Sequence, residues 1–218
     1  METKNIDEVV QKKMAWMIGY KSFLVSPQGH GGGGLALYWK QDWEVDFLFS
    51  CSNYLDVKIS IKNTSFFTSI VYGEPDQSKR KIVWNALKLI ADSRSDPWFL
   101  SGNFNDIFTN AEKTGGPPRA EGTFIDFRSF MSEAGLFDLK HSGSFYSWRG
   151  VRHNHVVKCR LDRAMANSSW FDLFPKGRSD YRKFEGSDHR PLISYFTRET
   201  KKRKGLFRYD RRLKENEE

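Results

Sequence analysis

Between Tyr54 and Gly102 the chain reads as strand, strand, helix, strand, and this order constrains the fold more than any other feature. Residues 54–61 alternate apolar and polar, with Leu55, Val57, Ile59 and Ile61 on one face. Residues 65–72 are more continuously apolar, the pattern of a more buried strand. Gly73-Glu74-Pro75 breaks that run. Ile82, Val83, Ala86, Leu87 and Ile90 then mark an amphipathic helix over about Gln77 to Asp92. Pro97-Trp98-Phe99-Leu100 is a short buried strand leading into Gly102. Interleaved hairpins and helices predict a mixed α/β (α+β) domain rather than a strictly alternating parallel one.

The flanks extend the pattern. Asn5 followed by Glu8 reads as a helix cap with a reciprocal acid. Ile6, Val9, Val10, Met14 and Met17 recur on one helical face, and Gly19 ends that helix. Residues 22–25 and 35–39 read as strands around the glycine run 31–34. A phosphate-cradling loop needs a following helix and a Gly-Lys-Ser/Thr step, and neither is present, so a tight hairpin or a close backbone approach is the reading. Thr114 to Pro118 is a surface loop. Phe124, Phe127, Phe130 and Met131 form one face of a third helix. Residues 145–148, 156–164 and 191–196 read as strands.

At 218 residues the chain is most simply one domain, and 39% hydrophobic with 15% aromatic content supplies a large core. Two cysteines, Cys51 and Cys159, give no disulfide framework. With no apolar leader and no long apolar run, they fit an intracellular setting, nuclear or cytoplasmic and not secreted. The net charge is +8, and from Thr197 on there are nine basic and five acidic residues, so half the excess lies in a short tail. That balance favours a polyanionic partner. The cations expected to meet it are Lys158, Arg160, Arg163, Lys176, Arg178, Arg182, Lys183 and those of the tail.

Three clusters could carry chemistry. Ser187-Asp188-His189-Arg190-Pro191 sets an imidazole beside a carboxylate at the mouth of a strand, or forms a turn there. Arg160-Leu161-Asp162-Arg163 places Arg160 and Asp162 on one strand face, as a site or as an intra-sheet ion pair. Gly102-Asn103-Phe104-Asn105 follows a strand with two amides, which also describes an Asx turn. Glu2, taken alone, is an acid before a helix, where the dipole favours it.

Together these stretches resemble the endonuclease/exonuclease/phosphatase superfamily, and more narrowly the endonuclease domain of plant LINE-type (non-LTR) retrotransposons. Glu2-Thr3-Lys4-Asn5, Gly32-Gly33-Gly34-Leu35-Ala36, Val71-Tyr72-Gly73-Glu74-Pro75 and Tyr146-Ser147-Trp148 complete the match in order and spacing. Gly205-Leu206-Phe207-Arg208-Tyr209-Asp210 looks like the start of a linker to a reverse transcriptase, which divides the chain into a domain over 1–197 and a basic tail over 198–218.

The resemblance implies a four-layer sandwich of two mixed β-sheets flanked by helices, a DNA substrate, and Mg²⁺, with Mn²⁺ as the alternative. By position, Glu2 and Asp188 would hold the metal. His189 would contact the scissile phosphate, and Asp162 would orient His189 within hydrogen-bond reach. Tyr72 would lie near the phosphate, and Asn105 would donate to a phosphate oxygen. Two departures stand out. The family's Gly-Asp-x-Asn motif reads Gly-Asn-x-Asn here, so Asn103 replaces a carboxylate that helps orient and deprotonate water. The family's first strand, with a metal-site Asn, is also expected to be missing ahead of Glu2. A weak or inactive endonuclease is therefore expected, with a non-catalytic nucleic-acid-binding remnant, or a phosphatase of small phosphoesters, as alternatives.

Overall fold

The computed structural model describes residues 5–25 and 34–198. Helix α1 (Asp7–Ala15) precedes strands β1 (Tyr20–Val25), β2 (Leu35–Lys40), β3 (Glu44–Ser50), β4 (Tyr54–Ile61) and β5 (Thr64–Tyr72). A 3-10 turn, Gln77–Lys79, runs into α2 (Arg80–Asp92), followed by β6 (Trp98–Asn103) and the two-residue β7 (Lys113–Thr114). Then come α3 (Ile125–Glu133), β8 (Phe137–Asp138), β9 (His141–Ser142), β10 (Trp148–Arg152) and β11 (His155–Cys159). The described chain closes with β12 (Asp162–Ala166), α4 (Ser168–Leu173), β13 (Arg178–Tyr181) and β14 (Leu192–Tyr195).

The main sheet has six strands in the order β3-β4-β5-β6-β12-β8, antiparallel except where β5 and β6 run parallel. Side-chain alternation gives it two apolar faces. Trp98 and Leu100 of β6 turn toward helices α2 and α3, into a core with Trp84, Leu87, Phe127 and Phe130. Phe99, between them, turns the other way with Leu55, Val57 and Ile59, against Leu35 of β2 and Trp170 and Phe174 at α4. Among the described residues the second strand layer is divided into β1-β2, β10-β11-β7 and β14-β13-β9. The result is the mixed α/β sandwich the sequence predicts. No helix among the described residues is long and apolar enough to cross a membrane.

Several local expectations change. The first helix is capped at Ile6 without a side-chain hydrogen bond, not at Asn5. It ends at Ala15, and Gly19, at φ +85°, serves the turn into β1. Ile82 is 70% exposed and Trp84 fills the core in its place, a rotation of the expected helical face. β3 is an additional edge strand. The expected strand at 145–148 starts only at Trp148 and runs to Arg152. The continuous strand expected over 156–164 is two strands in different sheets, broken at Arg160-Leu161. Arg160 and Asp162 therefore do not share a strand face. Most of the glycine run 31–34 lies outside the described residues.

Candidate active site

The site forms where the parallel strands β5 and β6 end side by side, with Tyr72 in register with Asn103. Gly102 allows this approach, because a Cβ there would sit 1.9 Å from the Val71 carbonyl oxygen. Asn103 is buried, and its Oδ1 accepts the Asn105 backbone N–H at 2.9 Å. Asn105 takes a left-handed conformation, φ +51°, which asparagine tolerates better than most residues. Its Nδ2 donates to the Gly73 carbonyl at 2.7 Å. One N–H of that amide is thereby committed to the loop, and its second N–H is the one a ligand would meet.

On the other side of β6, Asp162 of β12 pairs in register with Asn103. Its carboxylate Oδ2 is 2.8 Å from Nδ1 of His189. A carboxylate only accepts, so Nδ1 carries the proton and Nε2 is the nitrogen left for the cleft. Asp162 is held from both sides of its backbone. Ser147 Oγ accepts the N–H groups of Leu161 and Asp162 at 3.0 and 2.8 Å, and Tyr181 Oη donates to the Asp162 carbonyl at 2.7 Å. Burial raises the Tyr181 hydroxyl's pKa, so it remains a donor at neutral pH. The segment after Ser147 ties down the histidine loop: Arg190 N–H donates to Ser147 O, Arg149 N–H to Asp188 O, and the Trp148 indole to Asp188 Oδ2 at 3.0 Å.

Within Tyr146-Ser147-Trp148 the sequence assigns Ser147 no role, and Tyr181 carries no sequence signal at all. We expect Ser147→Ala to leave two backbone N–H groups without their acceptor and to cost about 1–3 kcal/mol, read as a lower urea midpoint.

Tyr72, Asn103, Asn105, Asp188 and His189 line one cleft of about 520 Å³, and Asp162 stands behind His189. Arg80, Lys113, Arg119 and Arg152 also line it, and Asp188 is the one carboxylate among its described lining residues. Arg160 and Arg163, expected to contact a polyanion, are corrected: both are buried, and both pair with Glu112 and Asp138. The pairs sit at the crossing between β11 and β12, and burial keeps both guanidinium groups from a ligand, Arg163 Nε included, which has no hydrogen-bond partner among the described residues. Lys158, Lys176, Arg178, Arg182 and Lys183 are exposed.

Glu2 lies outside the described residues. Among the described residues no group of three His, Cys, Asp or Glu side chains is placed to hold a metal ion. A hard dication takes oxygen ligands, commonly one or two carboxylates with waters. In the cleft the described residues supply one, Asp188, already bonded to Trp148, and by themselves they do not make such a site.

The fold is one shared with nucleases and phosphatases. The structure resembles the endonuclease domain of TRAS1, a telomere-specific non-LTR retrotransposon, with a TM-score of 0.64 and 17% identity over 84% of this chain and 82% of that one. It resembles the 3'-5' exonuclease NExo from Neisseria meningitidis with a TM-score of 0.64 and 20% identity over 90% and 87% of the two chains. The catalytic domain of Xenopus laevis APE2 superposes with a TM-score of 0.62 and 13% identity over 89% and 81%. No curated protein sequence matches. The family model described as Endonuclease/Exonuclease/phosphatase family matches residues 1–189, and the chain belongs to that family. Its enzymes generally use divalent metals.

Proposed function

We propose that this chain is a nucleic-acid-binding domain of the retrotransposon-endonuclease type, arranged for phosphodiester hydrolysis and weak in cleavage because of Asn103. The observation that carries this reading is the Asp162–His189 pair at 2.8 Å, set in a cation-lined cleft with Asn103, Asn105 and Tyr72. A phosphodiester entering the cleft meets the second amide N–H of Asn105 and the surrounding cations, and His189 Nε2 donates to it only when the ring carries a second proton; these groups would stabilise charge developing on the phosphoryl and leaving oxygens. Asn103 presents an amide that cannot take a proton from water at neutral pH. The proposed metal is Mg²⁺, with Mn²⁺ as the alternative, on Glu2 and Asp188, bound weakly for want of carboxylates.

Asn103 also favours a second reading, a remnant that binds nucleic acid without cutting it. Plasmid nicking with and without Mg²⁺, run beside an electrophoretic binding assay, separates the two. Binding with slow Mg²⁺-dependent nicking supports the first, binding with no nicking supports the second, and neither binding nor nicking overturns both. Binding should weaken steeply as salt rises, because neutralised phosphates release counterions. Affinity equal at low and high salt would contradict it.

A further inference from the structure

Two guanidinium groups in the cleft are fixed independently of the Asp162–His189 pair. Arg80, at the start of α2, donates from Nε to the Glu74 carbonyl at 2.9 Å and from Nη2 to the Pro75 carbonyl at 3.0 Å. Arg119 donates from Nη2 to the Thr123 carbonyl at 3.0 Å and from Nε to Thr123 Oγ1 at 3.2 Å. Both converge on one carboxylate oxygen: Asp106 Oδ1 lies 2.9 Å from Arg119 Nη1 and 3.4 Å from Arg80 Nη1. That oxygen also accepts the Ile107 backbone N–H at 2.9 Å, and the Asp106 side chain is only 4% exposed.

Asp106 faces both guanidinium groups and the Glu74 carboxylate also acts on Arg80, while both groups are anchored to main-chain carbonyls at the cleft wall. Each guanidinium has five N–H donors, and these contacts engage one on each nitrogen, so two on each are left for a ligand. The placement is specific. Asn105 hangs from the Gly73 carbonyl and Arg80 from the next one, Glu74, while Asp106 directly follows Asn105 in the chain. The arginine pair therefore sits beside the position of a phosphate held by Asn105 and His189.

We propose that Arg80, Arg119 and their shared Asp106 form a second phosphate site, which takes the nucleic-acid backbone phosphate adjacent to the one at His189. This rests on the functional reading above. Planar guanidinium groups suit phosphate oxygens bidentately, and Asp106 fixes their orientation before the ligand arrives. A substrate with regularly spaced phosphates fills both positions, and an isolated phosphoester fills one.

The test is the salt dependence of duplex DNA binding by the intact chain, Arg80→Gln and Arg119→Gln, with circular dichroism to verify folding. Each variant should reduce the slope of log affinity against log salt by about 1, the loss of roughly one phosphate contact. DNA binding with unchanged slopes in both folded variants overturns the second phosphate site and leaves the functional reading standing. No DNA binding by the intact chain at low salt overturns both. Should a variant not fold, the arginine Nε–Hε resonances of the intact chain decide. Those of Arg80 and Arg119 should shift on addition of a short DNA duplex, while Arg94, which pairs with Asp56 and does not line the cleft, should not. Binding that leaves the Arg80 and Arg119 signals unmoved overturns the proposal.

Discussion

Asn103→Asp should raise plasmid-nicking activity by on the order of 10²-fold or more, the usual worth of a positioned general base. The substitution exchanges one amide NH₂ for an oxygen and alters volume little. The contact that orients the side chain survives, because Oδ1 still accepts the Asn105 backbone N–H now seen at 2.9 Å. What changes is the outward atom, from a donor that cannot take a proton to an acceptor that can. The cleft is suited to receive the added negative charge, since four of its lining residues are Arg or Lys and one is a carboxylate. The rate is read as conversion of supercoiled plasmid to open circles in Mg²⁺, beside a thermal melt of both proteins. A variant that folds as the parent does and nicks no faster contradicts the assignment of Asn103 as the lesion.

In that Asn103→Asp background, Asp162→Asn should abolish the restored activity and take nicking below that of the Asn103 parent, with a loss on the order of 10³–10⁴-fold by analogy with the orienting carboxylate of serine hydrolases. The amide preserves shape but can present N–H to Nδ1, which favours the tautomer with the proton on Nε2. Because Asp162 acts through His189, it is a positioning residue, and its loss should be visible without turnover: the Nδ1–H resonance of His189 should disappear. Activity within a few-fold of the Asn103→Asp parent would remove the Asp162–His189 pair from the account.

What was legible in the sequence followed from period and from local breaks. Phe124, Phe127, Phe130 and Met131 share a helical face and are all buried. The alternation of Leu55, Val57 and Ile59 likewise marks the strand face that packs against the second layer. The errors have tertiary causes. Nothing local interrupts the strand-forming run from Val156 to Ala164. It breaks because Arg160 turns to Glu112, Asp138 and the Tyr181 hydroxyl while the chain passes from one sheet to another. Composition counts Arg163 as a surface cation, but its partners lie 51 and 25 residues away and bury it completely. Ile82 fits a helical stripe as well as Trp84 does, and only the neighbouring Phe127 and Phe130 rings decide which faces inward.

The candidate site divides in the same way. Asp162 and His189 are 27 residues apart, and only resemblance joins them in the sequence. The Asx-turn geometry of Asn103 and Asn105 was readable locally, and it coexists with a place in the cleft. Tyr181 and the Arg80–Asp106–Arg119 cluster were hidden, because each is assembled from separate elements and none matches a short motif.

The central claim is that this cleft receives the phosphodiester backbone, and it does not depend on cleavage. The direct measurement is a titration of the intact chain with a non-cleavable phosphorothioate DNA duplex, followed through the side-chain amide resonances of Asn103 and Asn105 and the imidazole of His189. All three should move together and saturate at the same DNA concentration as the electrophoretic shift. DNA that binds and leaves all three unmoved would place the nucleic-acid surface elsewhere on the molecule and contradict that claim.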